Sequence, residues 1–183
     1  MENGEPTVRT SRLILRRWRD EDLAPYAALN ADSRVMQHFP AVLSRVESDA
    51  QATRIRKHWD DHGFGLWAVE VDGGAPFVGF IGLQRVPFDA AFTPAVEVGW
   101  RLAFEAWGYG YATEGARAAL GYGFGALGLR EIVSMTVPSN ERSWRVMEKL
   151  GMKRAHGEDF DHPRLPEGHP LRRHILYRAA FAS

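Results

Sequence analysis

The sequence predicts an α/β fold in one domain, on three observations. Segments with a two-residue apolar period alternate with segments of helical period along the chain. No repeat, linker or low-complexity block interrupts that order. The 183 residues, 45% apolar and 25% charged, suffice to close a core without a disulfide or structural metal. A single domain over residues 1–183, with its core at about 8–181, is the expectation.

Val8 to Trp18 has the alternation of one half-buried strand, Leu13 and Leu15 against Arg12, Ile14 and Arg16. Asp20 then offers an N-cap for a helix to about Asn30, carrying Leu23, Ala27 and Leu29. A short helix is expected over Ala31 to His38, stopped by Phe39 and Pro40. Another is expected from Ser48, with Ala52, Ile55 and Trp59 on one face and Gly63 at its end. From Gly65 the period becomes two: strands are predicted at Leu66 to Val71, Phe77 to Val86 and Ala95 to Leu102, the first two as a hairpin over Asp72-Gly73-Gly74. Ala116, Leu120, Phe124 and Leu127 form a helical stripe over Ala112 to Leu127, although Gly121, Gly123 and Gly125 weaken it by about 1 kcal/mol each. Gly128 suits its C-terminal turn. Glu131 to Val137 reads as a strand, Asn140 as the cap of a helix to about Leu150, Met152 to Ala155 as a short strand, and His174 to Phe181 as the last.

Composition excludes several classes of function. Without cysteine there is no disulfide framework, thiolate zinc site, iron–sulfur cluster or thiol nucleophile. Twenty-three basic residues balance 23 acidic ones, so no long-range field draws the chain to nucleic acid or an anionic membrane, and neither partner is expected. No apolar run approaches the roughly 18 residues of a membrane span, and Met1 to Pro6 lacks the character of a secretory signal, so a cytoplasmic location is expected.

The most informative stretch is Trp107-Gly-Tyr-Gly-Tyr-Ala-Thr-Glu114, lying between a predicted strand and helix. Gly108 and Gly110 would let backbone N–H groups turn toward a ligand, and the helix N-terminus would add unpaired amides and a positive dipole end. That describes a pyrophosphate site; a plain chain reversal needs the same glycines. No G-x-x-x-x-G-K-[ST] motif occurs, and Gly121-x-Gly123-x-x-Ala126 ends a helix instead of opening one, so neither a P-loop nor a dinucleotide fold is indicated.

Trp107 to Ala112 resembles the Q/R-x-x-G-x-G/A acetyl-CoA signature of the GNAT N-acetyltransferases, in the form found in their ribosomal-protein N-acetyltransferase-like branch. Trp107 replaces the usual Gln or Arg, and Ala112 the last glycine. Thr10 to Arg16, Glu97-Val-Gly-Trp-Arg-Leu102, and Asn140 to Ser143 through Lys149-Leu-Gly-Met152 match in the same order. The resemblance implies a splayed mixed sheet, mostly antiparallel, with helices on both faces. Acetyl-CoA would be the cosubstrate, with no metal. It would be bound by Trp107, Gly108, Tyr109, Gly110, Tyr111, Ala112, Thr113, Asn140 and Ser143, and by free backbone groups near Trp100, Arg101 and Leu102.

Acetyl transfer to an amine requires removal of a proton, since alkyl ammonium pKa values lie near 10.4. Glu97 stands where several related enzymes place a carboxylate base; alternatively it pairs with an arginine. The tyrosine acid common in the family is replaced by Met147. Ser143 resembles the serine given that role in the ribosomal branch, and a serine at a helix start also commonly bonds backbone. His58 and His62 lie one helical turn apart, but Trp59 stands where the helical zinc motif needs Glu, so a surface pair is expected. The loop Asp161 to Pro170 reads as a substrate-facing flap or dimer contact, with His162, Glu167 and His169 as further acid–base candidates. Trp18, Phe39, Trp67 and Trp100 are either acceptor-pocket or core aromatics. The implied activity is N-acetyl transfer to a primary amine, of a small molecule or peptide, by direct attack in a ternary complex. The alternatives are a non-catalytic acyl-CoA-binding module and an α/β nucleotide-binding protein.

Overall fold

The computed structural model describes residues 6–181, so the acidic start at residues 1–5 lies outside the described residues. The chain runs β1 (Val8–Arg9), β2 (Leu13–Arg16), α1 (Leu23–Ala31), α2 (Arg45–His62), β3 (Leu66–Val71), β4 (Gly79–Arg85), β5 (Val96–Leu102), α3 (Tyr111–Gly125), β6 (Glu131–Thr136), α4 (Glu141–Lys149), β7 (Lys153–Arg154), β8 (Phe160–Asp161) and β9 (Arg173–Ala180). The strands form one mixed sheet in the order β1-β2-β3-β4-β5-β6-β9-β7, with β8 pairing β9.

The β5–β6 junction shapes the molecule. On one side β5 pairs antiparallel with β4 from Gly79↔Leu102 to Arg85↔Val96. On the other it meets β6 in parallel through the single pair Glu97↔Val133. Beyond Glu97 the strands part, so that Gly99 to Leu102 have no partner strand on that side. This is the splayed sheet that the family resemblance implies. Helix α3 covers one face: its Gly115 and Gly123 lie against Ile81, Leu83 and Ile132, with 2.5 and 2.6 Å from the place of a Cβ to the isoleucine Cδ1 atoms. Two of the α3 glycines are therefore required by close helix–sheet packing. Helix α1 lies on the opposite face, where Tyr26 packs on Phe80.

Several predicted elements differ. Val8 to Trp18 is two strands, β1 pairing back on β2 (Val8↔Leu15), because Glu114 of α3 gathers the intervening turn: its carboxylate accepts from Thr10 Oγ1 at 2.6 Å, Arg12 N at 3.0 Å and Arg12 Nε at 2.7 Å. All of β2 is buried, not half-buried; Arg16 is held there by a bidentate pair with Asp22 and a bond to Glu70. Asp22 also accepts from Arg19 N at 2.8 Å, whereas the predicted cap Asp20 points outward to Arg56. The helix expected over Ala31 to His38 is absent. Asp32 turns extended (ψ 113°), and its carboxylate accepts from Arg34 N at 2.9 Å, one of the local bonds by which Asp competes with helix. Helix α2 starts one turn before Ser48, at a capping box in which Ser44 accepts from Glu47 N and Glu47 from Ser44 N; Ser48 is buried inside the helix and bonded by Asn30 Nδ2. The short strand β8, in the Pro/Gly/His-rich loop, was not expected.

Candidate active site

A cavity of about 1090 Å³ opens where β5 and β6 part. Strand alternation puts Glu97, Gly99 and Arg101 on one face of β5, with their cross-strand partners Gln84, Gly82 and Phe80 beside them. Glu97, Trp100, Leu102, Asn140, Ser143 and His174 all line the cavity. The β5 residues named from sequence therefore come together with those of α4.

Glu97 accepts a hydrogen bond from Gln84 Nε2 at 3.1 Å. No arginine pairs with it among the described residues. It lies deep in the protein yet faces the cavity, and burial without a compensating cation pushes its pKa up to about 7. At neutral pH such a carboxylate is poised to gain or lose a proton.

The turn ahead of α3 uses left-handed backbone at Gly108 (φ 84°) and Gly110 (φ 82°), a conformation that side-chain-bearing residues rarely adopt. The first amide with an intrahelical acceptor is that of Glu114, bonding Gly110 O at 3.0 Å. The amides of Tyr111, Ala112 and Thr113 find no acceptor among the described residues, and all three residues border the cavity. Trp107 donates from Nε1 to Leu102 O at 2.9 Å, tying the loop to the end of β5, with the Arg142 guanidinium 4.7 Å from its ring centroid. Tyr109 is 60% exposed and stacks on Tyr111, so its side chain points out of the cavity. Arg142, Arg145 and Lys149 of α4 add positive charge to the same rim. An open strand edge, free amides and a cationic rim fit an extended thioester carrying phosphates.

Asn140 caps α4: its Oδ1 accepts from Ser143 N at 3.4 Å, and its Nδ2 donates to Thr136 Oγ1 at 3.0 Å. The Ser143 hydroxyl, half-buried on the cavity wall, has no bond among the described residues, so it is not spent on backbone. Met147 is 1% exposed in the core.

Other candidates separate by location. His58 is not a plain surface residue: its Nδ1–H donates to Phe64 O at 2.9 Å and its Nε2 accepts from Arg85 N at 3.0 Å, pinning α2 to β4. Among the described residues no group of three His, Cys, Asp or Glu could hold a metal. His162 borders the cavity, its ring 4.6 Å from Phe88 and 5.1 Å from His174. Glu167 and His169 do not border it. Trp18 and Trp67 are core residues, whereas Phe39 and Trp100 line the cavity. Gln84, His38 and His174 were missed from sequence. Each reaches the cavity through strand pairing or an irregular turn, which leave no local mark.

Residues 12–153 match the family described as an acetyltransferase (GNAT) domain. The uncharacterised protein YkkB of Bacillus subtilis (strain 168) is 32% identical over 156 residues, covering 82% of this chain and 87% of that protein. The FsC-acetyl coenzyme A-N(2)-transacetylase of Aspergillus fumigatus is 32% identical over 167 residues, covering 86% of this chain and 68% of that enzyme. An acetyltransferase crystal structure from Agrobacterium tumefaciens str. C58 superposes with a TM-score of 0.78 at 27% identity, over 96% of this chain and 95% of that one. Splayed strands, an amide-lined turn before a helix and a family match over most of the sequence converge on one assignment: the chain belongs to the GNAT family of acetyltransferases.

Proposed function

We propose that the chain, as one domain, transfers acetyl from acetyl-CoA to a primary amine by direct attack in a ternary complex. The observation that carries the reading is the Glu97 carboxylate, poised near pH 7 where the strands part, in a cavity shared with the amides ahead of α3. Acetyl-CoA supplies an acyl group already activated as a thioester. The amides from Tyr109 to Ala112 and the Arg142, Arg145 and Lys149 side chains bind its pyrophosphate, and the strand edge at Trp100 to Leu102, where no partner strand lies, aligns its pantetheine as an added strand. Glu97 takes the proton of the acceptor ammonium, leaving a nitrogen lone pair. A C–N bond then forms as the C–S bond breaks; Ser143 gives its hydroxyl proton to the departing thiolate and regains the second proton that the nitrogen sheds, leaving the amide and the free thiol. The protein positions the reactants and moves two protons; no acyl-enzyme is formed.

The Trp-Gly-x-Gly-Tyr-Ala-Thr-Glu form of the loop favours the ribosomal-protein N-acetyltransferase-like branch, so N-terminal peptides join polyamines and aminoglycosides as acceptors to test. Thiol release from acetyl-CoA, measured with and without each amine, tests the proposal. Amine-dependent release with N-acetylated product is expected. Tight acetyl-CoA binding without amine-dependent release from any acceptor would overturn it.

A further inference from the structure

The end of the cavity beyond Gly99 is walled by a cation with no counter-charge among the described residues. Arg101 is 9% exposed and lines the cavity, as do Gln51, Phe39 and Phe80 around it. Its Nη1 donates to two neutral oxygens, Asn30 Oδ1 at 2.7 Å and Gln51 Oε1 at 3.2 Å. Its Nε has no acceptor among the described residues. The Phe39 and Phe80 ring centroids lie 4.1 and 5.4 Å from the guanidinium carbon. Arg16, also buried, on β2 of the same sheet, has Asp22 and Glu70 against it. Among the described residues no carboxylate does this for Arg101, and burial pushes its pKa below the ordinary arginine value. A buried charge left in this state is costly, and a ligand that arrives with the opposite charge removes the cost.

Gly99 is the second observation. It stands between Glu97 and Arg101 on the same face of β5, its backbone does not need glycine, and a Cβ there would meet nothing within 4 Å. The floor between carboxylate and guanidinium is open. The two Cα atoms are about 13 Å apart at the usual strand rise, and their side chains bracket a small molecule.

We propose that Arg101 is the anchor for a carboxylate carried by the acceptor, so that the substrate is an amine with an anionic group at its far end. The amine lies at Glu97, the chain of the substrate crosses Gly99, and the carboxylate meets the guanidinium where it lines the cavity. A single cation between aromatic and amide walls suits a planar, singly charged carboxylate, which arginine binds through two parallel N–H donors. The inference rests on the acetyl-transfer reading for the place of the amine, but not for the binding of the carboxylate.

Two measurements test it. In the first, straight-chain ω-amino acids of increasing length are compared with their primary amides as acceptors. Wild-type kcat/KM should favour the acid by roughly 10-fold or more at the best length, the scale of a charged hydrogen bond. Arg101→Gln should abolish that preference, lowering kcat/KM for the acid by about that factor more than for the amide. In the second, calorimetry on the CoA complex should show hexanoate binding more tightly than hexanamide, and Arg101→Gln should remove the difference. Equal treatment of acid and amide by the wild-type protein in both measurements would overturn the proposal, as would an Arg101→Gln loss that is the same for both. Displacement of hexanoate by CoA would assign Arg101 to the cosubstrate instead. If Arg101→Gln does not fold, Arg101→Lys, which keeps the charge and loses the fork, and the wild-type comparison still decide. Absence of turnover with every amine would count against the acetyl-transfer reading, while calorimetry would still judge the anchor.

Discussion

A carboxylate held by a glutamine is a different chemical object from one held by an arginine, and Glu97 is of the first kind. Its pKa, raised to about 7 from the ordinary 4.5, has two consequences. In catalysis, wild-type kcat/KM should climb as pH passes through about 7 and Glu97 ionises. Glu97→Gln should lack this limb and lose about 10²- to 10⁴-fold, less as pH approaches the amine's own pKa and solution supplies the free base. In stability, the folded protein holds this proton more tightly than the unfolded chain. That contribution is complete below about pH 4.5 and is lost as pH rises through 7. The Gln variant should therefore escape the alkaline part of the wild-type stability loss, read by denaturant titration between pH 4 and pH 9. A rate defect that stays constant with pH would assign Glu97 a structural role. Ser143 is tested separately: its hydroxyl makes no hydrogen bond among the described residues, and Ser143→Ala should lower kcat and leave acetyl-CoA affinity nearly intact. Equal losses in affinity and rate would make it a cofactor-positioning residue. Glu97 was reached in sequence through the family resemblance, which puts a carboxylate base at its place on the strand before the glycine-rich turn. Gln84 was not, because the β4–β5 register that aligns the two belongs to the sheet and not to either strand.

At the scale of elements, legibility followed how locally each was determined. Strand β3 begins and ends where its period and flanking turns placed it, and α2 ends at Gly63, whose φ of 73° reflects a left-handed C-cap. Errors arose where distant partners decide the outcome. Glu114 folds β1 back on β2 from about a hundred residues away, and Asp22 is drawn to Arg16. The glycines of α3 show the same limit: sequence treats them alike, whereas the structure divides them. Gly123 would place a Cβ 2.6 Å from Ile132 Cδ1 and 2.9 Å from Leu83 Cδ1, but at Gly121 nothing lies within 4 Å. Gly121→Ala should raise stability by about 0.5–1 kcal/mol, the helix-propensity gain. Gly123→Ala should lower it by about 1–3 kcal/mol through overpacking. Urea titration of the two variants separates them, and equal effects would show that α3 does not approach the sheet as closely as described.

At the scale of the molecule, the splay of the sheet and the turn before α3 act together: the first opens an unpaired strand edge, the second aims free amides at the same cavity. The turn was readable because its glycines are local. The splay was not, since a single ladder pair between β5 and β6 leaves no imprint on either strand and was reached through the resemblance alone. Their joint use predicts that CoA ties the two halves of the sheet together and stabilises the whole chain. Binding to the native state alone at 100 times Kd contributes about 2.7 kcal/mol, visible as a rise in Tm that grows with CoA concentration. Gly110→Val tests the geometry behind that link. A Cβ at Gly110 has room, meeting only Arg12 Nη2 at 3.6 Å, so the substitution acts by denying the left-handed conformation (φ 82°) that turns the loop amides toward the ligand. The unliganded variant should lose about 1–2 kcal/mol from backbone strain. Its CoA affinity should fall about 10-fold or more as one or two charge-assisted bonds are lost, and its CoA-dependent Tm rise should shrink accordingly. Unchanged CoA affinity in a folded Gly110→Val protein, measured by calorimetry, would place the pyrophosphate elsewhere and leave the basic rim of α4 as its holder.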